Sequence, residues 1–301
     1  MERLTTIPEL RERLSAARGG GATIGLTPTM GALHEGHLAH VRRLRDLVDI
    51  VVVSIFVNPT QFGPGEDFES YPRDLDSDEA KLAGLADLVW APSVSTMYPH
   101  GPTATTVTVG ELTDVLEGAH RPGHFDGVTT VVTKLLNQVQ PDLVTFGRKD
   151  YQQLAVVRRM MTDLDVDTEI VEIPIVREPD GLAMSSRNRY LDREERRAAL
   201  ALSRALRRAV ETARGARERG ERPGADELEG IVAGNLQAEP MARVDYVAVV
   251  DPVTLRPPTP APASQDVTGA RDGASEQLVV AVAAHVGPAR LIDNVVVGDE
   301  E

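Results

Sequence analysis

The sequence predicts an α/β protein: a doubly wound parallel sheet in an N-terminal domain, followed by a smaller α+β domain. Three observations carry this reading. Over residues 1–175, β-branched runs of strand length alternate with helix-length amphipathic stretches, the texture of parallel strands covered on both faces. After Arg189 the texture shifts to long Ala/Arg/Glu helical stretches and then to short strands. The chain has 301 residues, 42% hydrophobic and 26% charged, an ordinary globular composition with room for about two domains.

The elements follow in order. Thr6, Pro8 and Glu9 form the cap of an amphipathic helix reaching about residue 17. Strand-length apolar runs lie at 22–27, 50–57, 88–91, 143–146 and 169–174, and helical patterns at 38–47, 75–85, 128–138 and 151–163. In the second domain, helices are expected at 193–219 and 226–236, and strands at 244–250, 277–285 and 291–297. Residues 256–275, rich in Pro, Ala, Ser and Gly, read as a mobile surface loop. The expected boundary separates residues 1–175 from 176–301, with the smaller domain closing over a site on the first.

Several function classes are excluded. A net charge of −14 repels phosphate in the mean, which argues against nucleic acid or an anionic membrane as partner. The strongest apolar run, 50–57, is far below the ~18 residues that span a bilayer. The absence of Cys removes disulfides, thiolate metal sites and thiol nucleophiles. The first ten residues lack the layout of a secretory signal, so a cytoplasmic location is expected. Only Lys81, Lys134 and Lys149 are lysines, which makes each one informative. The acidity is also local: segments 66–87 and 163–180 each carry a balance of −6.

The first candidate site is Thr27-Pro28-Thr29-Met30-Gly31-Ala32-Leu33-His34-Glu35-Gly36-His37. Pro28, Gly31 and Gly36 place the histidines in a loop entering a helix near Gly36. A helix N-terminus offers unpaired N–H groups and a positive dipole end to a phosphate. Gly36 lets a ligand approach the backbone, and two imidazoles can donate to phosphate oxygens as charge builds. A zinc-protease motif would need His-Glu-x-x-His, which Leu38 breaks. His34, His37 and His40 could gather a metal, although their spacing fans them around a helix, or could be solvated helix-entry residues. Neither a Walker A motif nor a Gly-x-Gly-x-x-Gly fingerprint occurs.

The second site is Gly147-Arg148-Lys149-Asp150-Tyr151-Gln152-Gln153, where another strand ends in glycine and another helix begins. Lys149 stands where an anion would meet that helix. Asp150 can accept from a ribose hydroxyl or cap the helix, and Gln153, one turn along, can bond an uncharged substrate group. The third is Gly181-Leu182-Ala183-Met184-Ser185-Ser186-Arg187-Asn188-Arg189, a loop suited to closing on polyphosphate, or a basic linker. The fourth, Phe56-Val57-Asn58-Pro59-Thr60-Gln61-Phe62, offers uncharged amides to a hydroxyl or carboxylate.

Together with Arg121-Pro122-Gly123-His124-Phe125, these segments resemble the pantothenate synthetase family in order and spacing, over nearly the whole chain. His-Glu-Gly-His is similar to the HIGH signature of nucleotidyltransferases, and Met-Ser-Ser-Arg stands where relatives carry a mobile KMSKS-type loop. The resemblance implies a Rossmann-like first domain and ATP-dependent condensation of (R)-pantoate with β-alanine through a pantoyl-adenylate, releasing diphosphate and AMP. It implies that Met30, Gly31, Ala32, Leu33, His34, Glu35, Gly36 and His37 bind ATP, with His37 the family's proton donor. It extends the ATP contacts to Gly147, Arg148, Lys149, Asp150, Val176, Met184, Ser185, Ser186 and Arg187. His34, His37, Lys149, Ser185 and Arg187 would be catalytic, Gln61 and Gln153 would bind pantoate, and Gln61 would also border β-alanine. Mg²⁺ would travel with ATP rather than sit on Asp76, Ser77 or Asp78, and a homodimer is implied. Two departures stand out: Arg148 replaces the family's Glu, and segment 256–275 is longer than the family's turn. A related nucleotidyltransferase, or a catalytically impaired ATP-binding homologue, would share the fold.

Overall fold

The computed structural model describes residues 1–101, 105–221, 223–258 and 277–298. The expected loop at 256–275 therefore lies outside the described residues from 259 onward. The chain divides into two compact units, Met1–Val176 and Arg177–Glu301.

In the first unit, strands β1 (Glu2–Leu4), β2 (Ile24–Thr29), β3 (Ile50–Ile55), β4 (Leu88–Trp90), β5 (Leu143–Gly147) and β6 (Glu169–Ile173) form one sheet. Their order is β1-β4-β3-β2-β5-β6, and every pairing is parallel. Helices α1 (Ile7–Gly19), α2 (Glu35–Arg45), α3 (Leu75–Leu82), α4 (Val94–Met97), α5 (Leu116–His120), α6 (His124–Val139) and α7 (Tyr151–Asp163) make the connections. Thr6 and Glu9 close a reciprocal capping box on α1, as their spacing predicts.

Right-handed crossovers decide which face each helix covers. The chain steps from β2 to β3 to β4 in one direction, so α2 and α3 share a face. It then crosses back over β2 to reach β5 and β6, which puts α6 and α7 on the other. The side chains agree: Val41 and Leu44 of α2 and Leu82 of α3 pack with Val51, Val53 and Val89 of the sheet. Burying each such side chain is worth ~1.5–3 kcal/mol relative to leaving it in water.

Three elements carried no clear sequence signal. β1 is three residues long and gains its place by pairing with β4. α4 and α5 are four and five residues long, too short for a helical period to show. In addition, α6 starts one turn earlier than the apolar pattern implies, after the left-handed Gly123.

The second unit contains α8 (Arg193–Glu218), α9 (Ala225–Gln237) and the antiparallel sheet β7 (Ala242–Val250), β8 (Leu278–Val286) and β9 (Ala289–Val297). Along α8, Ala198, Leu202, Ala205, Ala209, Ala213 and Ala216 form a small-residue stripe at helical spacing. That stripe packs with Leu228, Val232 and Leu236 of α9 and with Val280 and Val282 of β8. No helix among the described residues is long and apolar enough to cross a membrane.

Candidate active site

β2 and β5 are neighbours in the sheet, yet the chain leaves them toward opposite edges. Such a divergence opens a crevice at the carboxyl ends of the two strands, where ligands of open α/β sheets bind. The loops that follow these strands are 30–34 and the 3-10 turn Arg148–Asp150. Two motifs separated by over a hundred residues thus meet at one place.

The first loop leaves β2 through Gly31 (φ +85°) and Ala32 (φ +52°), and α2 begins at Glu35 with His34 as its cap. The two imidazoles cap reciprocally. His34 Nδ1 accepts the Gly36 N–H at 3.1 Å, and His37 Nδ1 accepts the His34 N–H at 3.3 Å. A ring that accepts at Nδ1 carries its proton on Nε2 when neutral, so in each imidazole Nε2 is the donor nitrogen. The rings lie 4.1 Å apart, centroid to centroid. Burial holds His37 well below the ordinary histidine range, and the neighbouring His34, His40, Lys149 and Lys81 lower it further by opposing a second charge there. Where the sequence suggests bare backbone donors at the entry of α2, the structure caps two of them with imidazole.

The second loop arrives alongside. A Cβ at Gly147 would stand 3.2 Å from His40 Nε2, so the end of β5 and the side of α2 nearly touch. Lys149 Nζ lies 3.7 Å from Asp150 Oδ2. Asp150 occupies the N-cap position of α7, as the sequence allows, but its side chain makes no cap hydrogen bond there. Arg148 pairs with Glu172 of β6 at 2.9 Å. The adjacent glutamines separate cleanly. Gln152 is buried, donating to the Leu112 and Val115 carbonyls and accepting the Glu117 N–H, whereas Gln153 is half-buried.

Gln61 ends the 3-10 turn Pro59–Gln61 after β3. Its Oε1 accepts from Asn58 Nδ2 at 3.1 Å, and its Nε2 donates to Met30 Sδ at 3.2 Å, which joins it to the first loop. Asn58 is buried and also bonds Tyr98 and the Gly127 carbonyl. A Cβ at Gly127 would sit 2.4 Å from the Thr60 carbonyl oxygen, so only glycine lets α6 approach this turn. Arg121 and His124 complete the frame: His124 Nδ1 donates to the Gln61 carbonyl at 2.8 Å, and Arg121 pairs with Glu66 at 2.6 Å.

In the acidic stretch, Asp76 is exposed and pairs with Arg3, whereas Asp78 is buried against the first loop. Sequence reading did not separate them; the available signal was Asp78-x-x-Lys81, one helical turn on α3. Among the described residues, no group of three or more His, Asp or Glu is arranged to hold a metal ion.

Val176 is the last residue of the first unit, and Met184, Ser185, Ser186 and Arg187 belong to the second. There, Ser185 Oγ accepts the Arg187 N–H at 3.3 Å and caps the 3-10 helix Ser186–Tyr190. Asn188 Nδ2 donates to the Ala183 carbonyl and to Glu178, which pairs with Arg196 at 2.7 Å. Arg177 is paired with the buried Asp293 at 2.7 Å.

The family model for pantoate-beta-alanine ligase matches residues 2–296. The chain belongs to the pantoate–β-alanine ligase family. It is 51% identical over 297 residues to the pantothenate synthetase of Moorella thermoacetica, covering 98% of each chain. It is 50% identical to that of Pelotomaculum thermopropionicum, covering 97% of this chain and 98% of the other. Among solved structures, pantothenate synthetase from Thermus thermophilus matches with a TM-score of 0.85 at 47% identity, covering 98% of this chain and 99% of the other. The ligase from Francisella tularensis, complexed with β,γ-ATP and β-alanine, matches at 0.74 and 30% identity, covering 98% and 97%. The Rossmann-like sheet and small antiparallel second unit are those of the family.

Proposed function

We propose that the loop Met30–His37 and the turn Gly147–Asp150 hold the phosphates of MgATP while this ligase condenses pantoate with β-alanine. The reaction is ATP-dependent and forms pantothenate. In the first step a pantoate carboxylate oxygen bonds to the α-phosphorus, and the bond to diphosphate breaks. In the second the β-alanine amine attacks the acyl carbon, loses a proton, and AMP departs with the carboxylate-derived bridging oxygen. Neither step needs a protein nucleophile; both need reactants held in line and charge neutralised on phosphate.

One observation supports this assignment most. Two neighbouring strand ends bring the loop that holds His34 and His37, whose capping leaves Nε2 as the protonated nitrogen, near the turn that carries Lys149. Neutral imidazole donors stabilise growing charge on the α-phosphate and leaving group without themselves giving up a proton. We therefore assign His37 to charge stabilisation rather than to acid catalysis. Gln61 and Gln153 would orient pantoate, Gln61 bordering β-alanine too. By the family resemblance, Val176, Met184, Ser185, Ser186 and Arg187 would supply further ATP contacts. Mg²⁺ would enter on the nucleotide, largely hydrated. A cytoplasmic homodimer completes the proposal by family resemblance, and sedimentation reads the assembly.

The test supplies MgATP and pantoate and measures AMP with and without β-alanine. AMP that depends on β-alanine, with pantothenate in equal amount, is expected. A stable nucleotidyl product would instead indicate a nucleotidyltransferase, and ATP binding without turnover an impaired homologue.

A further inference from the structure

Asp78 is a carboxylate from α3 with 2% of its surface exposed. Its two oxygens are divided between consecutive peptides of the first loop. Oδ2 accepts the Ala32 N–H at 2.8 Å, and Oδ1 accepts the Leu33 N–H at 2.7 Å. Lys81, one turn along α3, donates to the Leu33 carbonyl at 2.9 Å and stands 3.6 Å from Asp78 Oδ1. Ala32 is held in the left-handed region, which disfavours any side chain, and a Cβ at Gly31 would come within 2.9 Å of Asp78 Oδ2. The loop conformation is therefore one that the local sequence resists and that α3 imposes.

We propose that Asp78 and Lys81 form a two-residue clamp that sets the backbone of the ATP loop, acting as positioning residues for His34 and His37. The clamp acts on the residues immediately before the imidazole cap. It fixes the peptide plane on either side of Leu33, and His34 begins at the next bond. Both Asp78 oxygens are committed to backbone N–H groups, so this carboxylate works by geometry and makes no contact with the nucleotide. The proposal rests on the assignment of Met30–His37 as the ATP loop.

Replacing Asp78 by Asn keeps the shape but turns an NH₂ group toward one of the two backbone N–H donors. Full-length Asp78→Asn and Lys81→Met are compared with the parent and with His37→Asn, reading melting temperature, ATP binding by calorimetry, and steady-state kinetics. For Asp78→Asn, KM for ATP should rise about tenfold or more and kcat fall up to about 10²-fold, the scale of misplacing reacting groups by an ångström. KM for β-alanine should stay within twofold. Lys81→Met should show the same pattern more weakly, and Lys81→Arg should restore it.

A mere loss of folded protein lowers the apparent kcat and leaves KM for ATP unchanged; that result in Asp78→Asn would overturn the clamp. If Asp78→Asn does not fold, Lys81→Met decides: parental KM for ATP and kcat there overturn the proposal. If His37→Asn also binds and turns over ATP as the parent does, the loop assignment has failed, rather than the clamp alone.

Discussion

The Arg148 guanidinium meets the Glu172 carboxylate of β6 at 2.9 Å, beside Arg158, which pairs with the same carboxylate. Burial alone would raise the Glu172 pKa, but the two arginines outweigh it and hold the carboxyl below its ordinary value. Arg148, which stands where the family resemblance implies Glu, is thus matched by an acid on the neighbouring strand. Arg148→Glu should bring two carboxylates together and lower the melting temperature slightly, because a partly exposed pair is worth ~0–1 kcal/mol. Turnover should stay within a few-fold. The swap Arg148→Glu with Glu172→Arg should recover only part of the stability, because it also breaks the Arg158–Glu172 pair and sets a second arginine beside Arg158; thermal melts of the parent, both single variants and the double variant check it.

His37 gives a pH prediction. Burial keeps its ring neutral well below the usual pKa, and neighbouring positive charges add to that. Between pH 8 and 6, single-turnover adenylation should be flat, with no inflection near 6.5. An inflection there would mean that His37 titrates in the working enzyme. His37→Asn keeps an acceptor for the His34 N–H while removing the Nε2–H donor. It should lose about 10²–10³-fold in adenylation, the scale of one charge-stabilising donor.

Neighbouring glutamines should give opposite phenotypes. Gln152→Ala leaves the buried Leu112 carbonyl, the part-buried Val115 carbonyl and the Glu117 N–H without this partner. That should cost ~1–3 kcal/mol in a denaturant titration and leave KM for pantoate nearly unchanged. Gln153→Ala should raise KM for pantoate with little change in stability. Reversed phenotypes would exchange the two roles.

Acid should destabilise the first unit before its carboxylates titrate. Burial lowers both His40 and His124 to about 4, for His124 with help from the Arg121 charge. Between pH 6.5 and about 4 the unfolded chain therefore binds more protons than the folded one. Stability is complete above 6.5 and falls as pH drops, by up to about 1.4 kcal/mol per pH unit for each imidazole. Melts at pH 7.5 and 5 check this, and His124→Gln should flatten the dependence. The same substitution also removes a bond to the Gln61 carbonyl, so the slope with pH is the diagnostic quantity.

Much of the fold was legible in the chain itself. Near-continuous apolar runs at β2, β3 and β5 can be buried only between two layers of helices, and the Thr6–Glu9 box marks a helix start by local bonding alone. Local rules reach only as far as a turn or two of chain. They missed β1, whose three residues become a strand only because β4 offers its edge. They allowed Asp150 as a helix cap, and it does take the N-cap position of α7, but they could not tell that its side chain would make no cap bond there.

The site divides the same way. The residue types of the two loops proposed to hold phosphate, and their likeness to one enzyme family, are carried by sequence. So is the scarcity of lysine that singled out Lys149. Tertiary structure decided which of these groups meet, and in what state. Parallel pairing of β2 with β5 brought residue 37 near residue 149, and burial there made the imidazole neutral. Packing of α3 beside the first loop turned one acid of a charged run into its clamp, and left Asp76, two residues away, on the surface. A charge count along the chain cannot distinguish those two aspartates, because desolvation and hydrogen bonding depend on what lies across the fold.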